Sequence, residues 1–222
     1  MRPLLAALAL TLGLAGCGRP LTGAERQLLA PIHGPTLDAS RMRLVTAPGL
    51  GAFPITYDAR PRTTCRERIA PPVTGRITAR TGGLVLFQTL FLSREAARDD
   101  FTGAPLDLAS AMFLAHEATH VWQWQNRRLT GYDPARALSE QVRLDDPYLL
   151  DPDDPRAFLQ FGYEQQATLV EEYLCCATLD PEGIRTARLH RLLRQVMPAA
   201  PPQSFARRVL VPYGEELDGI CS

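Results

Sequence analysis

The sequence contains no lysine, and its acidic and basic residues balance each other. All 24 basic residues are arginine, 24 residues are Asp or Glu, and the formal net charge is zero. The arginines are scattered along the chain, so we attribute the missing lysine to codon bias rather than to function. The balanced charge argues against a nucleic-acid partner, because nucleic acids are bound through a basic surface.

The chain also lacks internal repeats and low-complexity tracts, and it has no long apolar run after its N-terminus. Its 222 residues, 45% of them hydrophobic, can bury one good core, so a single domain is expected. The apolar run at residues 4–12 is too short to span a bilayer. It follows Arg2 and precedes Leu14-Ala15-Gly16-Cys17, and together these features match a bacterial lipoprotein signal peptide. An ordinary cleaved signal peptide and a retained anchor are the alternatives.

The signal divides the chain into three parts. Residues 1–16 are the predicted signal peptide, residues 17–21 the lipidated Cys17 with a short tether, and residues 22–222 a single domain. Lipid on Cys17 would hold the protein to a membrane. Gly18 replaces the Asp that commonly signals inner-membrane retention in enterobacteria. The predicted location is therefore the bacterial cell envelope, on the periplasmic side of the outer membrane in preference to the inner membrane.

Four cysteines remain when Cys17 carries lipid, and an even number fits disulfides in an oxidising compartment. A bridge between the adjacent Cys175 and Cys176 would be strained. We therefore expect one of them to pair with Cys65 and the other with Cys221, and the sequence leaves open which pairs with which. A four-cysteine metal site would require a spacing pattern that is absent.

The most specific motif is His116-Glu117-Ala118-Thr119-His120. In a helix, the two histidines lie one turn apart on the same face and can share one Zn²⁺. Glu117 could then accept a proton from a water at the metal. Pro105 suits the first position of this helix, and Gly131 suits its end. The alternative is a pair of core histidines satisfied by hydrogen bonds.

A catalytic zinc usually has three protein ligands, so a third ligand is expected. The segment 161–174 is predicted to be a second helix, with Asp154 as its cap. Glu164 shares a face with apolar residues of this helix, and a buried carboxylate requires a cation. Glu164 is therefore the predicted third ligand, ahead of Glu171 and Glu172. The alternative for Glu164 is a surface carboxylate paired with an arginine.

These two motifs resemble those of the gluzincin metallopeptidases. His116-Glu117-x-x-His120 is followed 44 residues later by Glu164-x-x-Ala167, and in gluzincins a glutamate from a second helix completes the zinc site. Many gluzincins have an Asp where this chain has Thr168, and that Asp orients a ligand histidine from behind. Glu171 is our candidate for such a supporting carboxylate here.

A closer resemblance is to the bacterial HExxH domains of vgr-related and contractile-injection-system proteins. Residues 113–125 and 164–167 carry it, and a weaker match extends it over roughly residues 22 to 178. The resemblance implies a zincin fold more strongly than it implies any particular substrate. It also makes the segment 84–92, which is predicted to be a strand, the candidate for holding a substrate by strand addition.

The expected fold is α+β and zincin-like, with a small sheet packed on an HExxH metal-binding helix and a second ligand-bearing helix. The expected activity is hydrolysis of a protein or peptide substrate in the envelope, with Zn²⁺ held by His116, His120 and Glu164 and with Glu117 as general base. The alternative is a non-catalytic envelope lipoprotein, an assembly or interaction factor whose zinc site is structural or decayed. The sequence leaves the oligomeric state open.

Overall fold

The computed structural model describes residues 18–205, 208–215 and 217–222, and it combines helices with small sheets. The helices are α1 (Gly23–His33), α2 (Cys65–Arg68), α3 (Leu108–Gln125), α4 (Arg127–Thr130), α5 (Pro134–Arg143), α6 (Tyr163–Leu179) and α7 (Ile184–Leu193). The strands are β1 (Arg43–Thr46), β2 (Pro54–Asp58), β3 (Arg76–Arg80), β4 (Gly83–Leu86), β5 (Thr89–Leu92), β6 (Leu106–Asp107) and β7 (Val209–Leu210). The predicted signal peptide and Cys17 lie outside the described residues. Among the helices described, none has the length and apolar character needed to cross a membrane.

The main sheet has the order β1-β5-β4, with β1 parallel and β4 antiparallel to β5. The prediction of one strand over residues 84–92 is wrong, because this segment folds back on itself as the β4–β5 hairpin. Phe87 makes the turn with a φ of 59°, a conformation that usually calls for Gly or Asn. The apolar run therefore gave no sign of a turn. Strands β2 and β3 form a separate antiparallel ribbon.

Helix α3 lies at the centre of the molecule, and α6 packs along it. The Asp107 side chain caps α3 by accepting a hydrogen bond from the Ser110 amide. Pro105 was predicted at the first helical position. It instead precedes the helix, and its peptide bond with Ala104 is cis. Residues 114–123 are buried all round the helix, as expected for a helix surrounded by protein. Gly131, the predicted stop, ends the short α4 instead.

Helix α6 begins at Tyr163, later than predicted. Asp154 does not cap it, because its carboxylate accepts a hydrogen bond from the nearby Arg156 amide in a local turn. The segment Pro134–Arg143 forms α5, a helix that was not predicted from the sequence. Glu140 of α5 accepts a hydrogen bond from the Tyr163 amide at 2.7 Å, so α5 holds the start of α6.

Two disulfides fasten other segments to α6. Cys65 bonds Cys175 and Cys176 bonds Cys221, which confirms that each adjacent cysteine pairs with a distant one and shows which pairs with which. The first bond holds α2 and the second holds the C-terminal segment. Local sequence could not select between the two pairings, because that choice depends on where the rest of the chain lies.

Residues 19–21, which precede the predicted start of the domain at residue 22, contact it. Arg19 exchanges backbone hydrogen bonds with Leu44 of β1, and its guanidinium pairs with the buried Glu25 at 2.8 Å. Glu25 also forms a capping box with Thr22 at the start of α1. Residues 19–21 therefore pack against the rest of the described structure.

Candidate metal centre

Three buried side chains bring their donor atoms to one point between α3 and α6. His116 Nε2 lies 3.1 Å from Glu164 Oε2, His120 Nε2 lies 3.2 Å from the same oxygen, and the two nitrogens are 3.2 Å apart. The three residues are only 7–9% exposed. They are the three ligands predicted from the sequence, and as a group they could hold a metal ion.

The donor triangle fits a tetrahedral ion. Ligands bound tetrahedrally to zinc at about 2.0–2.1 Å are about 3.3–3.4 Å apart, close to the three separations found here. Two imidazole nitrogens and one carboxylate oxygen are donors that zinc accepts readily. Within the described part of the chain, this group contains no fourth His, Cys, Asp or Glu.

The electrostatics of the cluster also call for a cation. Burial by itself would lower the pKa of His116, but Glu171 and Glu164 raise it to about 10. Burial would raise the pKa of Glu164, but His120 and His116 hold it well below its ordinary value. The carboxylates therefore stabilise positive charge here. Protons on the histidines supply that charge in the absence of a metal, and a bound metal ion would take the place of those protons.

A chain of amide side chains fixes the orientation of His120. Its Nδ1 lies 2.9 Å from Oε1 of Gln123, whose Nε2 donates to the Tyr163 carbonyl at 2.9 Å and to Gln166 Oε1 at 3.0 Å. Because Gln123 Nε2 donates to these two acceptors, its Oε1 faces the imidazole and accepts the proton on Nδ1. The lone pair of His120 Nε2 is then left for the cluster.

A carboxylate lies behind His116. Glu171 Oε2 is 3.3 Å from His116 Nδ1, an ion-pair separation without full hydrogen-bond geometry. Burial raises the pKa of Glu171, but His116 and Arg66 together hold it below its ordinary value. Thr168 Oγ1 is buried without a hydrogen-bond partner in the described structure, so it does not replace the gluzincin Asp. Glu171, the predicted supporting carboxylate, is the acidic side chain that lies against His116 Nδ1.

Glu172, the remaining candidate ligand, faces away from the cluster. Its two carboxylate oxygens each lie 2.9 Å from the Cys65 amide, and Arg185 pairs with it at 3.3 Å. It therefore caps α2 instead of joining the donor group. Sequence spacing could not separate Glu171 from Glu172, since both lie about two turns beyond Glu164.

Glu117 is buried beside the two histidines but outside the donor triangle. Burial raises its pKa, His116 and His120 oppose that shift, and the neighbouring carboxylates add to it. Strand β4 passes close to this carboxylate at Gly83. A Cβ at Gly83 would lie 2.3 Å from Glu117 Oε1, so a side chain at this position would displace the Glu117 carboxylate.

Two residues near the cluster were not predicted from the sequence. Gln141 of α5 donates from Nε2 to Glu164 Oε1 at 2.6 Å and to the Tyr148 hydroxyl at 2.9 Å. The Tyr148 ring lies 5.8 Å from that of His116. Tyr148 is in an irregular segment, where spacing carries no information. For Gln141, the Asp133-Pro134 helix start was the available signal.

No protein-family model and no curated protein matches this chain. Among solved structures, the effector domain of Pseudomonas aeruginosa VgrG2b is similar to it, with a TM-score of 0.48 and 19% sequence identity. The alignment covers 87% of this chain and 98% of that one. This neighbour is a domain of a VgrG protein.

Proposed function

We propose that this protein is a zinc-dependent metallopeptidase that acts on proteins or peptides of the bacterial cell envelope. The observation that carries the proposal is the cluster itself: three donor atoms 3.1–3.2 Å apart, with the acidic side chain of Glu117 beside them but outside the donor group. His116, His120 and Glu164 would hold the ion, and Glu117 would remain free for proton transfer.

A bound zinc ion supplies Lewis acidity, polarising the scissile carbonyl and acidifying a water. Glu117 accepts the proton of the attacking water and later returns it to the leaving amine. Burial raises the pKa of Glu117, which makes its carboxylate a stronger base toward the attacking water. Tyr148 accepts a hydrogen bond from Gln141, so its own proton is available to stabilise the developing oxyanion.

Strand β4 offers a place for the substrate backbone. In the described structure it pairs only with β5, so its other edge is open. The Ser93 amide donates to the Gly82 carbonyl, and antiparallel ladder bonds alternate, so Leu84 and Leu86 also bond toward β5. The backbone groups of Gly83 and Val85 then point to the open edge. A peptide added there would pass beside Glu117, which adjoins Gly83.

The competing function is a non-catalytic envelope protein with a structural zinc. Structural zinc sites usually have four protein ligands, whereas catalytic sites keep one position open. The described residues provide three ligands at this cluster. This number favours the catalytic function.

The test separates metal binding from catalysis. In zinc-loaded protein, Glu117→Gln should keep one zinc per chain and reduce cleavage of an unfolded protein such as casein by at least about 10³-fold, because the base is lost. Tyr148→Phe should also retain zinc and lose roughly 10²-fold in kcat. Glu95→Gln, at an exposed site, is the matched control and should behave as wild type. Loss of zinc from Glu117→Gln would refute the assignment of Glu117 as base.

A further inference from the structure

Helix α2 contributes no ligand to the candidate metal centre, yet it lies directly behind it. This single helical turn, Cys65–Arg68, is too short to be stable without support. The Cys65–Cys175 disulfide ties it to α6, and the Glu172 carboxylate caps its first amide. The position of α2 relative to the metal-binding helices is therefore fixed by a covalent bond and a buried charge.

Arg66 of α2 contacts two groups that in turn contact His116. Its Nη1 pairs with Glu171 Oε2 at 3.0 Å, and this oxygen lies 3.3 Å from His116 Nδ1. Its Nη2 donates to the backbone carbonyl of Tyr148 at 3.4 Å, and the Tyr148 ring lies beside the His116 imidazole. One guanidinium thus links the carboxylate behind the histidine to the aromatic ring at its side.

The rest of the guanidinium is also fixed. Nε and Nη2 of Arg66 donate to Glu67 Oε1 at 3.0 and 2.9 Å. The side chain of Arg66 is mostly buried, as is that of Glu171. A planar guanidinium can satisfy these diverging acceptors at once, which a lysine ammonium cannot do in the same geometry. A carboxylate that orients a ligand histidine must itself be oriented, and Arg66 is the cation that faces Glu171 from outside the cluster.

We propose that Arg66 is a positioning residue of the metal centre, which sets the orientation of His116 by holding Glu171 and the Tyr148 segment against it. The inference rests on the proposed metal centre and deepens it. It assigns a role in metal binding to an arginine 50 residues from the nearest ligand in the sequence. Arg66 touches no metal donor atom, so its effect must pass through Glu171 and Tyr148.

The test measures metal binding without reference to catalysis. Zinc dissociation constants are determined by chelator competition, and the absorption spectrum of bound Co²⁺ reports the ligand geometry. Arg66→Gln should weaken zinc binding about 10- to 100-fold and alter the Co²⁺ spectrum. Arg66→Lys, which keeps the charge but not the fork, should give an intermediate constant. Arg68→Gln, on the same helix but bonded to the C-terminal segment, is the control and should match wild type.

A double-mutant cycle tests the route. If Arg66 acts mainly through Glu171, Arg66→Gln should add little to the loss caused by Glu171→Gln. The proposal would be overturned if Arg66→Gln kept the wild-type zinc affinity and Co²⁺ spectrum. It would also be overturned if the double variant lost zinc affinity by the full product of the two single losses. Should Arg66→Gln fail to fold, wild-type behaviour of Arg66→Lys would overturn it instead. A different result is expected if the proposed metal centre is itself wrong. The wild-type protein would then bind no zinc, or His116→Ala would bind zinc as well as wild type.

Discussion

A buried histidine lies on each of two sides of α3, and the two histidines have opposite electrostatic surroundings. On the α6 side, His116 faces Glu164 and Glu171, and its pKa is raised to about 10 although burial opposes the shift. On the other side, His33 of α1 is completely buried, and burial lowers its pKa to about 4. Burial is common to both sites, so the partners decide which histidine attracts positive charge.

The partner of His33 is a hydroxyl. His33 Nε2 lies 3.2 Å from Thr119 Oγ1, and Thr119 donates its own proton to the Ala115 carbonyl. The Thr119 oxygen can therefore accept from a neutral imidazole but offers no negative charge. A cation would be stabilised on the α6 side of the helix and destabilised on the α1 side. Only the α6 side is suited to a metal ion.

The largest expected effect is a loss of zinc binding on the α6 side of α3. His120→Ala should weaken zinc binding by several orders of magnitude, because it removes one of three protein ligands. His33→Gln, a change at the other buried histidine, should leave the zinc dissociation constant within about threefold of wild type. Chelator competition at constant pH measures both variants. Equal losses in the two would show that general destabilisation, and not the donor cluster, governs zinc binding.

A smaller loss of zinc affinity is expected at Gln123, whose amide supports His120. Gln123→Met should weaken zinc binding about 10- to 100-fold, because the proton on His120 Nδ1 loses its acceptor and the ring loses its fixed tautomer. Gln125→Met is the control on the same helix, since its side chain bonds the Asp38 segment instead. Equal zinc affinity in Gln123→Met and wild type would show that His120 needs no such support.

The sequence predicted the donor group because helix geometry is local. His116 and His120 are four residues apart, and that spacing alone brings them to one face of a helix. Glu164 required a second argument, from a carboxylate on an apolar face. Helix starts were less predictable: Pro105 and Asp154 carry valid local start signals, but the tertiary structure starts both helices at later residues.

Contacts between distant segments could not be predicted from spacing. Arg66 reaches Glu171 across 105 residues, and Gln123 meets Gln166 across 43. Neither pair belongs to a local pattern, since each depends on how α2, α3 and α6 pack. The Phe87 turn was missed for a different reason, because its residue type argues against the backbone conformation it adopts. The three residues that could hold a metal were thus visible in the sequence, as was Glu171 behind His116. Arg66 and the Gln123–Gln166 pair were not.

The last expected effect concerns the α1 side of α3, away from the donor cluster, and appears as a pH dependence of stability. The folded-state pKa of His33, about 4, lies below its ordinary value of 6.5. As the pH falls, the unfolded chain therefore takes up the proton first. The stabilisation linked to neutral His33 is fully present above pH 6.5 and is lost progressively as the pH falls toward 4. Its upper limit is about 3 kcal/mol.

His33→Gln should remove this dependence, because glutamine keeps a polar group near Thr119 but does not titrate. Urea unfolding at pH 7, 5 and 4, in metal-free protein with a chelator present, gives the free energy of unfolding of both forms. The carboxylates and the ligand histidines titrate in both proteins, so the difference between the two curves isolates His33. We expect the wild-type advantage to shrink by about 1–3 kcal/mol between pH 7 and pH 4. Parallel curves would mean that His33 titrates normally in the folded state and that the two sides of α3 do not differ as described.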